Sequence, residues 1–488
     1  MTNPQVADVP CHPVDEKLPA RKLIPSALQH IAAMYSGVVA APLVIGPTVG
    51  LSAGNQVLLI SVSLFIAGLC TLTQTLGVGK VLGNRLPFVN AAASGGIAPL
   101  LAIGQNTAKG HELQTMLGSL LVAGAVCLVI GPFFGKLMRF FPHLVTGVVI
   151  TLIGVSLMPV PVRWAQGGAG AENFGSTSNL ALAAFTLVII VAMQRLFTGF
   201  LRQISLILGM VIGTLAAVPF GMLNTKTFES APLVSIPTPF HFGMPEFQIA
   251  GIISMTIMML VLMTESAAGM LAVGEICDRP VDGRTISSGL RIDGLGTMIG
   301  SLFGGFAISA FAQNIGVVSL TKVRSRFVVA TAGAVLLVLG VFPVLGAVVS
   351  LVPMPVLGGA GLVLFGTIAI SGVRTLSRAH LDEGANIVIA AVSLGVGLIP
   401  LAAPEVVANG KVVQPGIYHA FPDWAQTILG TGICAGAITA VLLNIAFNHL
   451  GKKKPQEQPE PEARPAKPTA PAEPTEAVPA GDPVAGKS

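Results

Sequence analysis

The chain has 488 residues, of which 52% are apolar and only 10% charged, and its mean hydropathy is +0.79. That is a membrane composition, and it excludes a protein built around one soluble core. The formal charge of +5 sits on basic residues scattered between hydrophobic stretches and not gathered with aromatics, which argues against nucleic-acid binding.

Taken in chain order, the first 25 residues contain Pro, Asp, Glu and Lys and no apolar h-region. No cleavable signal peptide is expected, and the first span itself directs insertion. Breaking the rest at charges, Pro/Gly clusters and polar loops gives about fourteen hydrophobic segments, at 27–46, 55–76, 86–104, 113–131, 142–159, 178–197, 203–221, 248–270, 289–305, 309–321, 327–351, 354–373, 385–401 and 425–448. Many reach the roughly 20 residues needed to cross about 30 Å of hydrocarbon. Cytoplasmic loops are enriched in Lys and Arg, and with fourteen spans 23 basic residues fall on the N-terminal side against 4 (Lys109, Arg163, Lys226, Lys411) on the other. The expectation is a multi-pass inner-membrane protein with both termini cytoplasmic. Its parts are an N-terminal tail at 1–24, a membrane domain at 25–450 and a polar, disordered tail at 451–488. Cys11, Cys70, Cys127, Cys277 and Cys434 show no ligand or CxxC spacing and read as small buried hydrophobes.

Two segments break the apolar pattern in a matching way. The third runs Leu86-Pro-Phe-Val-Asn-Ala-Ala-Ala-Ser-Gly-Gly96, and the tenth runs Gly305-Phe-Ala-Ile-Ser-Ala-Phe-Ala-Gln-Asn-Ile-Gly316. They stand seven segments apart, as two inverted seven-span halves would place them. Segments five and twelve also correspond, each opening with a proline (Pro142, Pro355) and carrying glycines further on. Irregular backbone survives at membrane depth only where it lines a cavity, so the paired breaks point to a site at the midplane.

Few residues offer chemistry there. Glu265 and Asp293 alone among the acidic residues fall within or at the edge of the spans, and a carboxylate at that depth is costly unless it serves a function or is paired. Glu265 has no basic residue within two turns of its own helix; a structural hydrogen bond to a neighbouring helix is the alternative. Asp293 lies near Arg291 and has the alternative of capping a helix that begins at Gly294. Gln313 and Asn314 offer uncharged donors and acceptors suited to the edge of a flat heterocycle, although Asn314 equally suits tying the broken backbone together. His30 reads either as a satisfied core histidine or as part of a proton path. Phe88 and Phe311 read as packing or as stacking surface. No ATP-binding loop, HExxH or Ser/His/Asp set is present, so no enzyme, metal or cofactor is expected and an ion gradient is favoured as the energy source.

The run Gln313-Asn-Ile-Gly-Val-Val-Ser-Leu-Thr-Lys-Val-Arg-Ser-Arg326 resembles the signature of the nucleobase-ascorbate transporter family, also called nucleobase:cation symporter-2. Further blocks agree: Leu28 to Gly37, Thr264-Glu-Ser with Gly274-Glu-Ile, Gly289 to Gly300, and Val356 to Val363. The resemblance covers roughly residues 22 to 450 and is closest to bacterial uric acid and xanthine permeases. It implies an all-α polytopic fold of fourteen spans in two inverted repeats, with short strands in the third and tenth segments. It divides the spans into a core domain (about 25–131 and 248–351) and a gate domain (about 132–247 and 352–450), usually in a homodimer. It implies proton-coupled import of a purine base, urate or xanthine. Glu265 would hold the purine N–H edge, Gln313 a carbonyl/N–H edge, Asp293 and His30 would serve proton coupling, and Asn314 would organise the site. Two positions depart from many relatives. Gly269 replaces an ionisable residue, shifting the proton burden to Glu265 and Asp293, and Ala93 replaces Asn, Thr or Ser, leaving a roomier wall. A pyrimidine such as uracil is the rival substrate; a passive channel or a receptor without transport is the rival class.

Overall fold

The computed structural model describes residues 12–450 except 80, 135–141, 169–170, 199–200, 203, 224–233, 344–350, 383, 404–405, 409–410, 415 and 431. Cys11, the tail at 451–488 and the side chain of Gln313 lie outside what is described. In chain order the elements are α1 (Ala20–Thr48), α2 (Ala53–Leu76), β1 (Asn90–Ala92), α3 (Ile97–Gln105), α4 (Glu112–Ile130), α5 (His143–Ser156), α6 (Pro159–Ala165), α7 (Thr177–Leu196) and α8 (Ser205–Ala217). They continue with α9 (Ile249–Ile276), α10 (Gly283–Phe303), β2 (Ile308–Ala310), α11 (Ala312–Thr321), α12 (Arg326–Val341), α13 (Met354–Leu376), α14 (Gly384–Ala402), the hairpin β3 (Val406–Ala408) and β4 (Lys411–Gln414), α15 (Asp423–Leu429) and α16 (Gly432–Asn444). Among the described residues nine helices are long and apolar enough to span a bilayer. The shorter ones include the broken pieces α3 and α11.

Helix ends follow local chemistry. Ser52 caps α2 by accepting from the Asn55 amide, and Gly77 ends it at a φ of 75°. The alternative of Asp293 as a cap is overturned: α10 begins at Gly283, capped by Asp282, whose Oδ1 accepts the Thr285 amide at 2.8 Å. Asp293 therefore sits mid-helix and buried. At the far end Gly304, at φ 94°, turns the chain out of α10 toward β2.

Close helix crossings repeat with one geometry. A Cβ added at Gly68 of α2 would stand 2.4 Å from the Leu337 nitrogen and 2.6 Å from the Gly333 oxygen of α12. One added at Gly124 of α4 would stand 2.7 Å from the Met298 nitrogen and 2.8 Å from the Gly294 oxygen of α10. Each glycine meets a partner glycine and the residue four positions beyond it, so backbones touch without side chains between them. This is how helices pack where no hydrophobic effect drives them together. The outermost helices bury little: α7 exposes Val188, Val191 and Leu196, as suits contact with lipid.

Candidate functional site

β1 and β2 pair antiparallel, with Asn90 opposite Ala310, Ala91 opposite Ser309 and Ala92 opposite Ile308. The ladder is extended by Phe311 N–H donating to Val89 O at 3.0 Å and Ala93 N–H donating to Ala307 O at 2.7 Å. A two-stranded sheet leaves two open edges, and at membrane depth each unpaired backbone group costs several kcal/mol. Hydroxyls from three surrounding helices close them. Thr71 of α2 donates to Asn90 O at 2.9 Å and accepts its N–H at 3.2 Å. Ser266 of α9 accepts the Ala310 N–H at 2.9 Å, and Thr297 of α10 accepts that of Ile308 at 2.8 Å.

Each strand runs into a short helix, β1 through the turn Ser94–Gly96 into α3 and β2 directly into α11. The positive ends of both half-helices thus lie beside the sheet. In front of it is a cavity of about 250 Å³. Gly37, Ala93, Ser94, Glu265, Ala310 and Phe311 line one side, and Ile150 and Ile153 of α5 with Leu364, Thr367, Ile368 and Ser371 of α13 line the other. At this size it is below the roughly 300–1,000 Å³ of sites for drug-sized ligands and suits a small ring system.

The residues singled out in the sequence divide around this cavity. Glu265, Ala93 and Phe311 line it. Asp293 lies behind the sheet, where its Oδ1 accepts a short hydrogen bond from Asn90 Nδ2; its Oδ2 and the Asn90 Oδ1 have no hydrogen-bond partner among the described residues. Asn314 joins α11 to α1, its Nδ2 facing both the His30 oxygen at 3.1 Å and His30 Nδ1 at 3.0 Å. A carbonyl only accepts, so the amide nitrogen is the donor and His30 Nδ1 must accept. That leaves the imidazole proton on Nε2, and His30 is buried and not among the residues that line the cavity. Of its two readings, packing or stacking, Phe88 takes packing and is not among the residues that line the cavity. It is buried, against the Cα of Gly269: a Cβ there would meet the ring at 3.2 Å. The reason is strand alternation: Phe88 and Ala93 are five residues apart along extended backbone, so Ala93 faces the cavity and Phe88 faces away.

The sequence reading missed the roles of Thr71, Ser266 and Thr297, which sit among other hydroxyls on their helices, and the polar stripe of Thr367 and Ser371, spaced i and i+4 on α13. Among the described residues no group of three or more His, Cys, Asp or Glu is placed to hold a metal.

Broken helices meeting beside a carboxylate, within a bundle of membrane-length helices, define a multi-pass membrane transport protein. A profile described as "Permease family" matches residues 21–406. The chain is 38% identical over 442 residues to the uric acid transporter UacT of Escherichia coli, covering 90% of this chain and 89% of that protein. It is 36% identical over 437 residues to the xanthine permease of Bacillus subtilis, covering 90% and 96%. In fold it is similar to the transmembrane domain of the cyanobacterial bicarbonate transporter BicA, with a TM-score of 0.53 at 16% identity, covering 88% of this chain and all of that one. The chain belongs to the permease family, the nucleobase-ascorbate transporter family that its motifs resemble, and so to transporters and not to enzymes.

Proposed function

We infer that this protein is a proton-coupled symporter that imports a purine base, urate or xanthine, across the inner membrane. The observation that carries the reading is the placement of the Glu265 carboxylate on the wall of a small cavity flanked by two half-helix N-termini. A carboxylate accepts from the N–H edge of a purine. The half-helix ends, with backbone N–H groups lacking intrahelical partners, favour its carbonyl oxygens or negative charge. Gln313, in the first turn of α11, would read a second edge. Ala93 and Phe311 shape the wall, and Phe88 supports it from behind.

The coupling follows from charge. Urate is an anion, and an anion against an ionised Glu265 in a low-dielectric cavity is repelled by several kcal/mol. A proton between them removes that repulsion, so proton and purine bind together. Asp293 serves as a second proton station through Asn90 and the sheet, while Asn314 and His30 hold α11 on α1. Relatives named as a uric acid transporter and a xanthine permease support the substrate class.

Fourteen crossings in two inverted halves fit the matched glycine contacts, because exchanging the halves turns the α2–α12 crossing into α10–α4. The core (about 25–131 and 248–351) would carry the sheet, and the gate (about 132–247 and 352–450) would carry α5 and α13. The cavity lies between these two groups of helices, where sliding would expose it to either side. A homodimer with both termini cytoplasmic completes the proposal.

The test is uptake of radiolabelled urate and xanthine, separately, into cells lacking their own purine carriers, with and without a protonophore and with uracil as competitor. Accumulation that the protonophore abolishes is expected. Glu265→Gln should abolish it with the protein still in the membrane; concentrative uptake by that variant would contradict the role. Downhill flux insensitive to the protonophore would indicate a channel, and strong competition by uracil a pyrimidine carrier.

A further inference from the structure

A second pocket of about 270 Å³ lies apart from the substrate cavity, between the loop joining α2 to β1 and the segment joining α9 to α10. It is lined by Arg85, Arg279 and Arg284, with Asp282 the one carboxylate among its lining residues. That carboxylate is already engaged by the Thr285 amide at 2.8 Å and the Thr285 hydroxyl at 2.7 Å. Arg279 uses Nη1 on Asp15 at 2.9 Å, and Arg85 uses Nη2 on the Gly79 oxygen at 2.7 Å; Arg284 is exposed. The pocket also sits at the N-terminus of the 21-residue helix α10, whose dipole adds positive potential.

An independent feature points to a ligand. Asn84 is only 6% exposed and lines this pocket. Its Oδ1 accepts the Leu86 amide at 3.0 Å, which fixes the amide orientation, and its Nδ2 has no partner among the described residues. A buried amide donor left unpaired costs about 1–3 kcal/mol, and an acceptor that reached it from the pocket would recover that cost. A net excess of guanidinium over the one lining carboxylate and a helix N-terminus together describe a receptor for oxyanions. On the same loop Val78 and Val81 are 58% and 54% exposed, apolar surface beside positive charge, the combination found at the edge of a bilayer of acidic lipid.

We propose that this pocket binds a phosphate group, carried by the headgroup of an acidic phospholipid or as free phosphate, at a site separate from the substrate cavity. Arg284 and the helix end supply charge, Asn84 Nδ2 supplies the oriented donor, and Arg85 and Arg279 form the walls. The proposal depends on the chain lying in a membrane and not on which substrate it carries.

The experiment is equilibrium binding of two probes, radiolabelled inorganic phosphate and radiolabelled phosphatidylglycerol, to the full chain purified in neutral detergent. One saturable site per chain is expected for at least one probe. Saturation by phosphatidylglycerol alone identifies the headgroup, and saturation by phosphate identifies the free ion. Arg284→Gln removes an exposed charge, and Asn84→Asp keeps the acceptor for the Leu86 amide while replacing the donor with an anionic oxygen. Each should weaken binding by about tenfold or more, whereas Arg378→Gln, an exposed basic residue just past α13, should not. Arg284→Gln decides the matter alone if Asn84→Asp is not monodisperse on gel filtration. Absence of saturation with both probes, equal affinity in wild type and Arg284→Gln, or an equal loss in Arg378→Gln would each overturn the proposal.

Discussion

Gly37 and Phe311 offer the sharpest handle on the cavity. A Cβ at Gly37 would lie 2.1 Å from Phe311 Cζ, 2.7 Å from Cε2 and 3.3 Å from Cε1. Ordinary contact begins near 3.4 Å, so in Gly37→Ala the ring tip must retreat by about 1.3 Å. The Phe311 backbone cannot follow, because its amide is held on Val89 at 3.0 Å. The ring turns instead, and the open volume it borders is the cavity. Overpacking of this kind costs about 1–3 kcal/mol, which corresponds to roughly 5- to 150-fold in apparent affinity. Initial-rate uptake of the accepted purine should show KM raised by a factor in that range with the amount of protein in the membrane unchanged. Phe311→Leu in the same chain should recover most of the loss, since it removes the atoms that clash. Gly54→Ala, where an added Cβ meets nothing within 4 Å, serves as the control. An unchanged KM in Gly37→Ala would refute the reasoning, by showing that the ring moves aside without narrowing the site.

Three further outcomes are expected. Gly68→Ala and Gly124→Ala place a methyl against backbone that cannot rotate away, so both should lower the melting temperature in detergent, each by about 1–3 kcal/mol of stability; wild-type melting in either would refute a tight crossing there. Asp293→Asn keeps an oxygen acceptor for Asn90 but cannot carry a proton, so uptake should lose its response to a protonophore while substrate still binds, and unchanged accumulation would remove Asp293 from the coupling. His111, outside the spans, pairs with Glu246 at 2.6 Å, and the hydrogen bond first, then the charge, hold its imidazole above the ordinary value of 6.5. The stabilisation is therefore full below that value and is lost as pH rises through the raised one. The melting difference between wild type and His111→Gln should shrink on going alkaline; a constant difference would refute the pair.

How much of this was written in the sequence depends on the kind of signal. The broken segments were legible because Asn90, Ser94, Gln313 and Asn314 interrupt apolar runs, and a lone Glu265 at membrane depth stands out for the cost it carries. The face each residue takes was harder. Once residues 88–93 are taken as extended, period-two alternation separates Phe88 from Ala93, but a segment identified only as broken has no period to apply. The hydroxyls of Thr71, Ser266 and Thr297 were invisible for another reason: a lone Ser or Thr in a membrane helix ordinarily bonds back to its own turn, as Thr264 does to Leu260 at 3.0 Å, so composition does not distinguish the few that bond a foreign strand.

The glycines carry the deeper lesson about what organises this fold. Gly68 with Gly333 and Gly124 with Gly294 share a geometry that no local pattern announces, since each position is defined only by the helix it meets. Those crossings hold α2 against α12 and α4 against α10 by backbone contact. The helices they fix include two of the three, α2 and α10, whose hydroxyls close the edges of the sheet. A small shift at either crossing would carry Thr71 or Thr297 off its strand and leave a buried backbone group unpaired. The crossings therefore brace the sheet side of the cavity, and under the proposed sliding of core against gate the compliance would come from the opposite wall, at Ile150, Ile153 and the Thr367–Ser371 stripe.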